Sequence, residues 1–147
     1  MRPLYPPGYF LASIALQLTL HRLLPVARVL AFPWTLSGLV PIGFGAYLNI
    51  AADRAFKVSR TTVKPFQRAR VLLTEGIFRL TRNPMYLGMV LALVGVAIAL
   101  GTLSPFFVCP PFAVLLHFRF ILSEERLLAE TFGSNWNAYS KKTRRWV

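Results

Sequence analysis

An uncharged run of eighteen residues, Met85–Thr102, constrains the fold of this chain more than any other feature. Its length and composition predict a transmembrane helix, because about 20 apolar residues cross the hydrocarbon core of a bilayer. Three further segments resemble spans less closely: Trp34–Ala52, Leu103–Leu122 and Tyr9–Leu24. We therefore predict an all-α, multi-pass membrane bundle of about four transmembrane helices, with a short cytoplasmic C-terminal helix.

Two of these spans carry residues that disturb a membrane helix. Three prolines, at positions 105, 110 and 111, interrupt the last span and predict either a kink or a helix that begins near Phe112. The first span ends in His21–Arg22, so it either crosses the bilayer with a snorkelling arginine or inserts partway as a shorter helix.

The overall charge is high for so apolar a chain. Hydrophobic residues make up 55% of the sequence, yet 17 Lys and Arg against 5 Asp and Glu give a net charge of +12. Nucleic-acid binding would need these cations on one solvated surface, whereas long uncharged runs separate them. A single cysteine, Cys109, and two distant histidines exclude a disulfide framework and give no sign of a metal site.

The distribution of the cations predicts the orientation. Eight Lys and Arg lie between Asp53 and Pro84 and five more follow Leu122, whereas Gly101–Ser104 carries no charge. The positive-inside rule places the long loop, the tail and the N-terminus in the cytoplasm, and part of the basic excess would contact membrane lipids.

Two short motifs carry the candidate chemistry. In Arg82–Gly88 (RNPMYLG), asparagine and proline suit the N-cap and the first helical position, and a helix N-terminus is a ready anion site. Three of the five acidic residues, Glu124, Glu125 and Glu130, directly follow the last span. They indicate either a binding site or an amphipathic extension of the helix whose leucines pack against the rest of the protein.

The ordered set of motifs resembles the isoprenylcysteine carboxyl methyltransferase family, which shares this region with membrane phospholipid methyltransferases. The RNPMYLG motif, EERLL at Glu124–Leu128 and FGSNWNAY at Phe132–Tyr139 are similar to the family patterns RHPxYxG, EExxL and FGxxYxxY. The likeness covers about residues 61–147, which would form the cofactor-binding region. The N-terminal spans, at about 9–53, would precede it, and residues 1–147 would form a single membrane domain.

The resemblance implies S-adenosylmethionine as cofactor, bound at the cytoplasmic face, and a lipophilic or lipid acceptor that enters from the bilayer. We expect neither a metal nor a nucleic acid as a partner. The resemblance further implies that the cofactor-binding residues are Arg70, Val71, Leu72, Leu73, Phe78, Arg82, Asn83, Pro84, Met85, Tyr86 and Glu124. The glutamate would pair with the cationic end or the ribose of the cofactor, and Arg82 and the Asn83 helix terminus with its carboxylate.

The sequence departs from the family at three positions. Asn83 replaces the usual histidine, Trp136 replaces a tyrosine, and Phe120 stands where the carboxyl methyltransferases place a substrate-binding arginine. A carboxylate acceptor would lack its partner, so we expect an acceptor that is neutral when it reacts.

Three side chains near this position are catalytic candidates. His117 lies seven residues before Glu124, about two helical turns away on the same face, and could act as a base. Arg119 and Glu125 are the other two. Three alternatives remain open: a phospholipid N-methyltransferase, an NADPH enzyme similar to sterol reductases, and a membrane scaffold without catalytic activity.

Overall fold

The computed structural model describes residues 5–59 and 70–147, and these residues form helices and short connections. No strand occurs among them, so the all-α prediction is confirmed. Short 3₁₀ turns precede α2, α3 and α4, and a wide π turn, His117–Ile121, joins α4 to α5. The helices are α1 (Pro6–Leu23), α2 (Leu39–Val58), α3 (Pro84–Leu100), α4 (Cys109–Leu116), α5 (Leu122–Phe132) and α6 (Ser134–Lys142).

Among the described residues, fewer helices than the four predicted have the length and hydropathy expected of a membrane span. Within the described ranges, two helical stretches are long and apolar enough to cross a membrane, Trp34–Val58 and Ser104–Phe132. The apolar helix α3 has 17 residues and rises about 26 Å, less than the roughly 30 Å hydrocarbon core. Polar side chains such as Gln17 and Arg22 lower the hydropathy of α1.

The prolines of the last span lie where a helix tolerates them. Pro105 is in the 3₁₀ turn Ser104–Val108, and Pro110 and Pro111 are in the first turn of α4, whose N–H groups need no intrahelical partner. The α-helix therefore begins at Cys109 and not near Phe112.

A buried glutamine fixes α1 against the other helices. The Gln17 side-chain amide donates hydrogen bonds to the carbonyl oxygens of Leu93 and Pro105, both at 3.1 Å. It also lies 3.5 Å from the Cys109 sulfur, which is buried beside it. A polar group inside an apolar bundle is stable only with such partners, so Gln17 sets the register of α1.

Helices α2 and α3 approach each other through glycines. A Cβ atom on Gly88 would lie 2.6 Å from the Gly45 carbonyl oxygen and would also meet the Asn49 amide. These two backbones can be this close only because neither residue has a side chain, as in other small-residue helix contacts.

The helix ends gather at two opposite poles. At one pole, the 24–33 connection pairs with the α3–α4 turn through Val29 N–H and the Gly101 carbonyl, 2.9 Å apart. Gly101 ends α3 with φ of 72°, a left-handed conformation that favours glycine. At the other pole, the first residues of α1 and α3 meet the last turn of α2 and the first turn of α5 around a cavity.

Candidate active site

The cavity at this second pole has a volume of about 480 Å³. Elements that are far apart in the sequence supply its walls, which are mostly apolar. Seven of the eleven side chains predicted to bind the cofactor line it. The lining residues are Tyr5, Pro6, Pro7, Phe56, Phe78, Arg82, Asn83, Pro84, Met85, Tyr86, Met89 and Glu124.

A short hydrogen bond joins the two motifs inside the cavity. The Tyr86 hydroxyl donates to Glu124 Oε1 at 2.6 Å, linking the first turn of α3 to the first turn of α5. The Tyr86 ring is buried and stacks on Phe120 with a centroid distance of 6.3 Å. One carboxyl oxygen is thereby fixed, and the group faces a poorly solvated space in which attraction to a cation is strong.

Arg82 is the cation of the cavity lining. Its guanidinium lies 5.5 Å from the centre of the Trp136 ring, and its Nη2 atom lies 3.5 Å from Glu125. Its Nε atom is buried and has no hydrogen-bond partner among the described residues. An unpaired buried donor is costly, and the described residues leave part of the hydrogen-bonding capacity of Arg82 unused.

Asn83 occupies the N-cap position of α3, as predicted, but its side chain does not cap the helix. Instead, Nδ2 donates to the Arg145 carbonyl at 3.0 Å, and the Asn83 N–H donates to the Thr81 hydroxyl at 3.2 Å. The amide therefore fastens the start of α3 to the C-terminal tail, which the capping interpretation did not foresee.

Phe78 forms an aromatic wall of the cavity. Its ring packs edge-to-face on Phe56 with a centroid distance of 5.6 Å. Its carbonyl accepts a 2.6 Å hydrogen bond from the Tyr139 hydroxyl, and burial raises the pKa of Tyr139 to about 12. The phenol consequently stays a neutral donor and holds the wall in place.

The model of the phospholipid methyltransferase family matches residues 34–135, which is more than half of the chain. The chain belongs to this family. No curated protein and no solved structure gives a match. Membership confirms the suspected relationship and indicates a methyltransferase that acts on a membrane-lipid type of substrate.

Four residues implied by the family resemblance lie outside the cavity lining. They form the segment 70–73, which runs towards the turn that carries Phe78. The first residues of the predicted cofactor-binding region, 61–69, are outside the described part of the chain.

The three catalytic candidates also lie outside the lining. His117 is half-buried with its ring 5.0 Å from Phe118, Arg119 is exposed, and Glu125 pairs with Arg145 and Arg82. The π turn adds a residue to the helical turn, so the seven-residue spacing from His117 to Glu124 no longer equals two α turns. Catalytic roles for these residues stay predictions.

The position that carries arginine in the carboxyl methyltransferases is directed inward. Phe120 is 1% exposed, and its ring lies between Tyr9, at 5.9 Å, and Tyr86. Arg119 therefore does not substitute for the missing cation at this place. Phe120 gives the ring of Tyr86 an apolar backing instead.

Sequence reasoning missed five lining residues. Met89 lies three residues after Tyr86, a spacing that places both on one helix face and could have indicated it. Phe56 and the segment 5–7 come from elements outside both motifs, and nothing in their local sequence signals a site.

Proposed function

We propose that the protein is an S-adenosylmethionine-dependent methyltransferase that binds its cofactor in this cavity and methylates a lipid acceptor. One observation carries the proposal. The Tyr86–Glu124 hydrogen bond brings together two motifs that are 38 residues apart, at the centre of a cavity lined by the side chains that the family resemblance implies.

The lining residues fit the chemistry of the cofactor. A volume of about 480 Å³ lies in the range of small-molecule sites, roughly 300–1,000 Å³. Glu124 suits the cationic end or the ribose hydroxyls, and the guanidinium of Arg82, which lines the cavity, suits the carboxylate. Phe78 and Met85 offer apolar contact surface for the adenine.

When bound, the cofactor supplies a methyl group activated by its sulfonium for in-line displacement. The residues of this chain bind, orient and exclude water. Tyr86 fixes one Glu124 oxygen and leaves the second oxygen to accept from a ligand. Arg82 is held over Trp136, so that its position is set before the ligand arrives.

We propose an acceptor group that is uncharged when it reacts, such as a lipid amine. Arg82 is the one cation in the described lining of the cavity, and Phe120 occupies the place of the family's substrate arginine. A buried carboxylate acceptor would therefore lack a partner.

We further propose a multi-pass arrangement with the cavity at the cytoplasmic face. The stretches Trp34–Val58 and Ser104–Phe132 would span the bilayer in the same direction, so α3, which contacts both, would return across it, and α1 packs against α3 and the second stretch. The sequence segments that adjoin the cavity lining, residues 53–84 and the tail after Leu122, are rich in Lys and Arg, which favours the cytoplasmic side for the cavity.

Binding of radiolabelled S-adenosylmethionine to the detergent-purified protein tests the proposal. Glu124→Gln keeps the acceptor for Tyr86 but removes the capacity for charge, so we expect about ten- to a hundredfold weaker binding. Glu130→Gln makes the same change at an exposed position of α5 and should have no effect.

The same titration distinguishes the alternatives. Saturable binding of NADPH instead of S-adenosylmethionine would favour the reductase interpretation. Binding of neither ligand would favour a scaffold. Equal affinities for Glu124→Gln and Glu130→Gln would remove Glu124 from the site.

A further inference from the structure

The C-terminal strap, Thr143–Arg145, lies across the three residues that precede α3. The Arg82 N–H donates to the Arg144 carbonyl at 3.0 Å. The Arg145 carbonyl accepts from Asn83 Nδ2 at 3.0 Å and from the Thr81 hydroxyl at 3.2 Å. Two consecutive strap carbonyls thus hold the whole segment Thr81–Asn83, of which two residues line the cavity.

A side-chain contact fastens the strap to the helix that carries Glu124. The Arg145 guanidinium binds the Glu125 carboxylate in a fork geometry. Its Nε donates to both carboxylate oxygens at 3.0 Å, and its Nη2 donates to Oε2 at 2.6 Å. The same carboxylate lies 3.5 Å from Arg82 Nη2. Glu125 is therefore flanked by two guanidiniums, one from the strap and one from the cavity.

The two adjacent glutamates have different surroundings. Glu124 lines the cavity and accepts from Tyr86, whereas Glu125 is not part of the lining and contacts Arg82 and Arg145. The charge of Glu125 balances part of the positive charge of Arg82 and Arg145. It also raises the pKa of Arg145 above the ordinary arginine value through their hydrogen bonds.

We propose that Arg145 and Glu125 are positioning residues of the cofactor site, acting through Arg82 and Asn83. This inference rests on the proposed function for the identity of the ligand. The strap leaves α6 at Thr143 in an extended conformation, and the fork-shaped ion pair fastens it to α5. Without this ion pair, the hydrogen bonds between the strap carbonyls and the Thr81–Asn83 segment would break. The Arg82 guanidinium would then lose its fixed position over Trp136.

Hydrogen exchange in the ligand-free protein measures the coupling directly. In Arg145→Ala, the Arg82 amide, which donates to the strap, should exchange about tenfold faster than in the wild type. Arg144→Ala is the matched control, because its side chain is exposed and its carbonyl contact is a backbone one that survives the substitution. Unchanged exchange in Arg145→Ala would overturn the proposal.

Cofactor kinetics measure the consequence. Arg145→Ala and Glu125→Gln should each raise the KM for S-adenosylmethionine about tenfold, with kcat at saturating cofactor nearly unchanged. Arg145→Lys, which keeps the charge but not the fork, should restore part of the affinity. The double variant should be no worse than Glu125→Gln alone, because that single variant already lacks the ion pair with Arg145.

The outcomes separate the two proposals. A wild type that binds no S-adenosylmethionine, with faster Arg82 exchange in Arg145→Ala, would refute the proposed function and support the coupling. Faster exchange with an unchanged KM would overturn the positioning role, as would a fall in thermal stability without a selective rise in KM.

Discussion

Removal of one hydroxyl group, in Tyr86→Phe, tests the junction between the two motifs. The Tyr86 hydroxyl donates a 2.6 Å hydrogen bond to Glu124, and the tyrosine ring is 7% exposed, so solvent has little access to replace it. Hydrogen bonds to carboxylates contribute about 1.5–3 kcal/mol to stability. In the variant, the half-buried Glu124 carboxyl group would regain part of this through hydration. We expect a loss of about 1–2 kcal/mol in the free energy of unfolding.

The same substitution should weaken cofactor binding, because the freed Glu124 carboxyl group can adopt several orientations. We expect about a tenfold higher Kd for S-adenosylmethionine, measured by isothermal titration in detergent beside the unfolding titration. Tyr47→Phe is the control, since the Tyr47 side chain is exposed on α2 and stacks on Phe44 far from the motifs. Wild-type values of both quantities in Tyr86→Phe would refute the reasoning.

Three further predictions follow from the packing and the charge pattern. Gly88→Ala should cost about 1–3 kcal/mol of stability in an unfolding titration, because its Cβ meets α2, whereas Gly43→Ala, with open space around it, should be neutral or slightly stabilising. Membrane-impermeant maleimide should label Leu24→Cys and Ser134→Cys from opposite sides of sealed vesicles, and labelling from one side would contradict the orientation. A prenylcysteine carboxylate should be a poor acceptor beside a lipid amine, since Phe120 replaces the arginine; equal methylation rates would contradict this expectation.

The helices and much of the cavity could be predicted from sequence because their signals are local. The uncharged run of α3 and the Pro84 helix start each depend on residues within a few positions. The family motifs then identified seven lining residues, because their spacing is kept along two helices. Two of the four predicted spans do not have the length and hydropathy of a membrane helix, because α3 has 17 residues and polar side chains lower the hydropathy of α1.

The strap could not be predicted, because Lys and Arg residues near the end of a membrane helix are usually explained by the positive-inside rule. Arg144 and Arg145 are equivalent in the sequence, and only the tertiary structure pairs one of them with Glu125. The helix face of His117 relative to that of Glu124 could also not be predicted from sequence, because a single π turn between them changes which face each residue occupies.

Transfer of a labelled methyl group is the most direct test of the central claim. The purified protein, reconstituted in vesicles of mixed membrane lipids, is incubated with methyl-labelled S-adenosylmethionine, and the label in the extracted lipid is counted. We expect label in the lipid fraction with the wild type and with Glu130→Gln, and a strong loss with Glu124→Gln. Lipid that stays unlabelled with the wild type, or label that is indifferent to Glu124→Gln, would contradict the account.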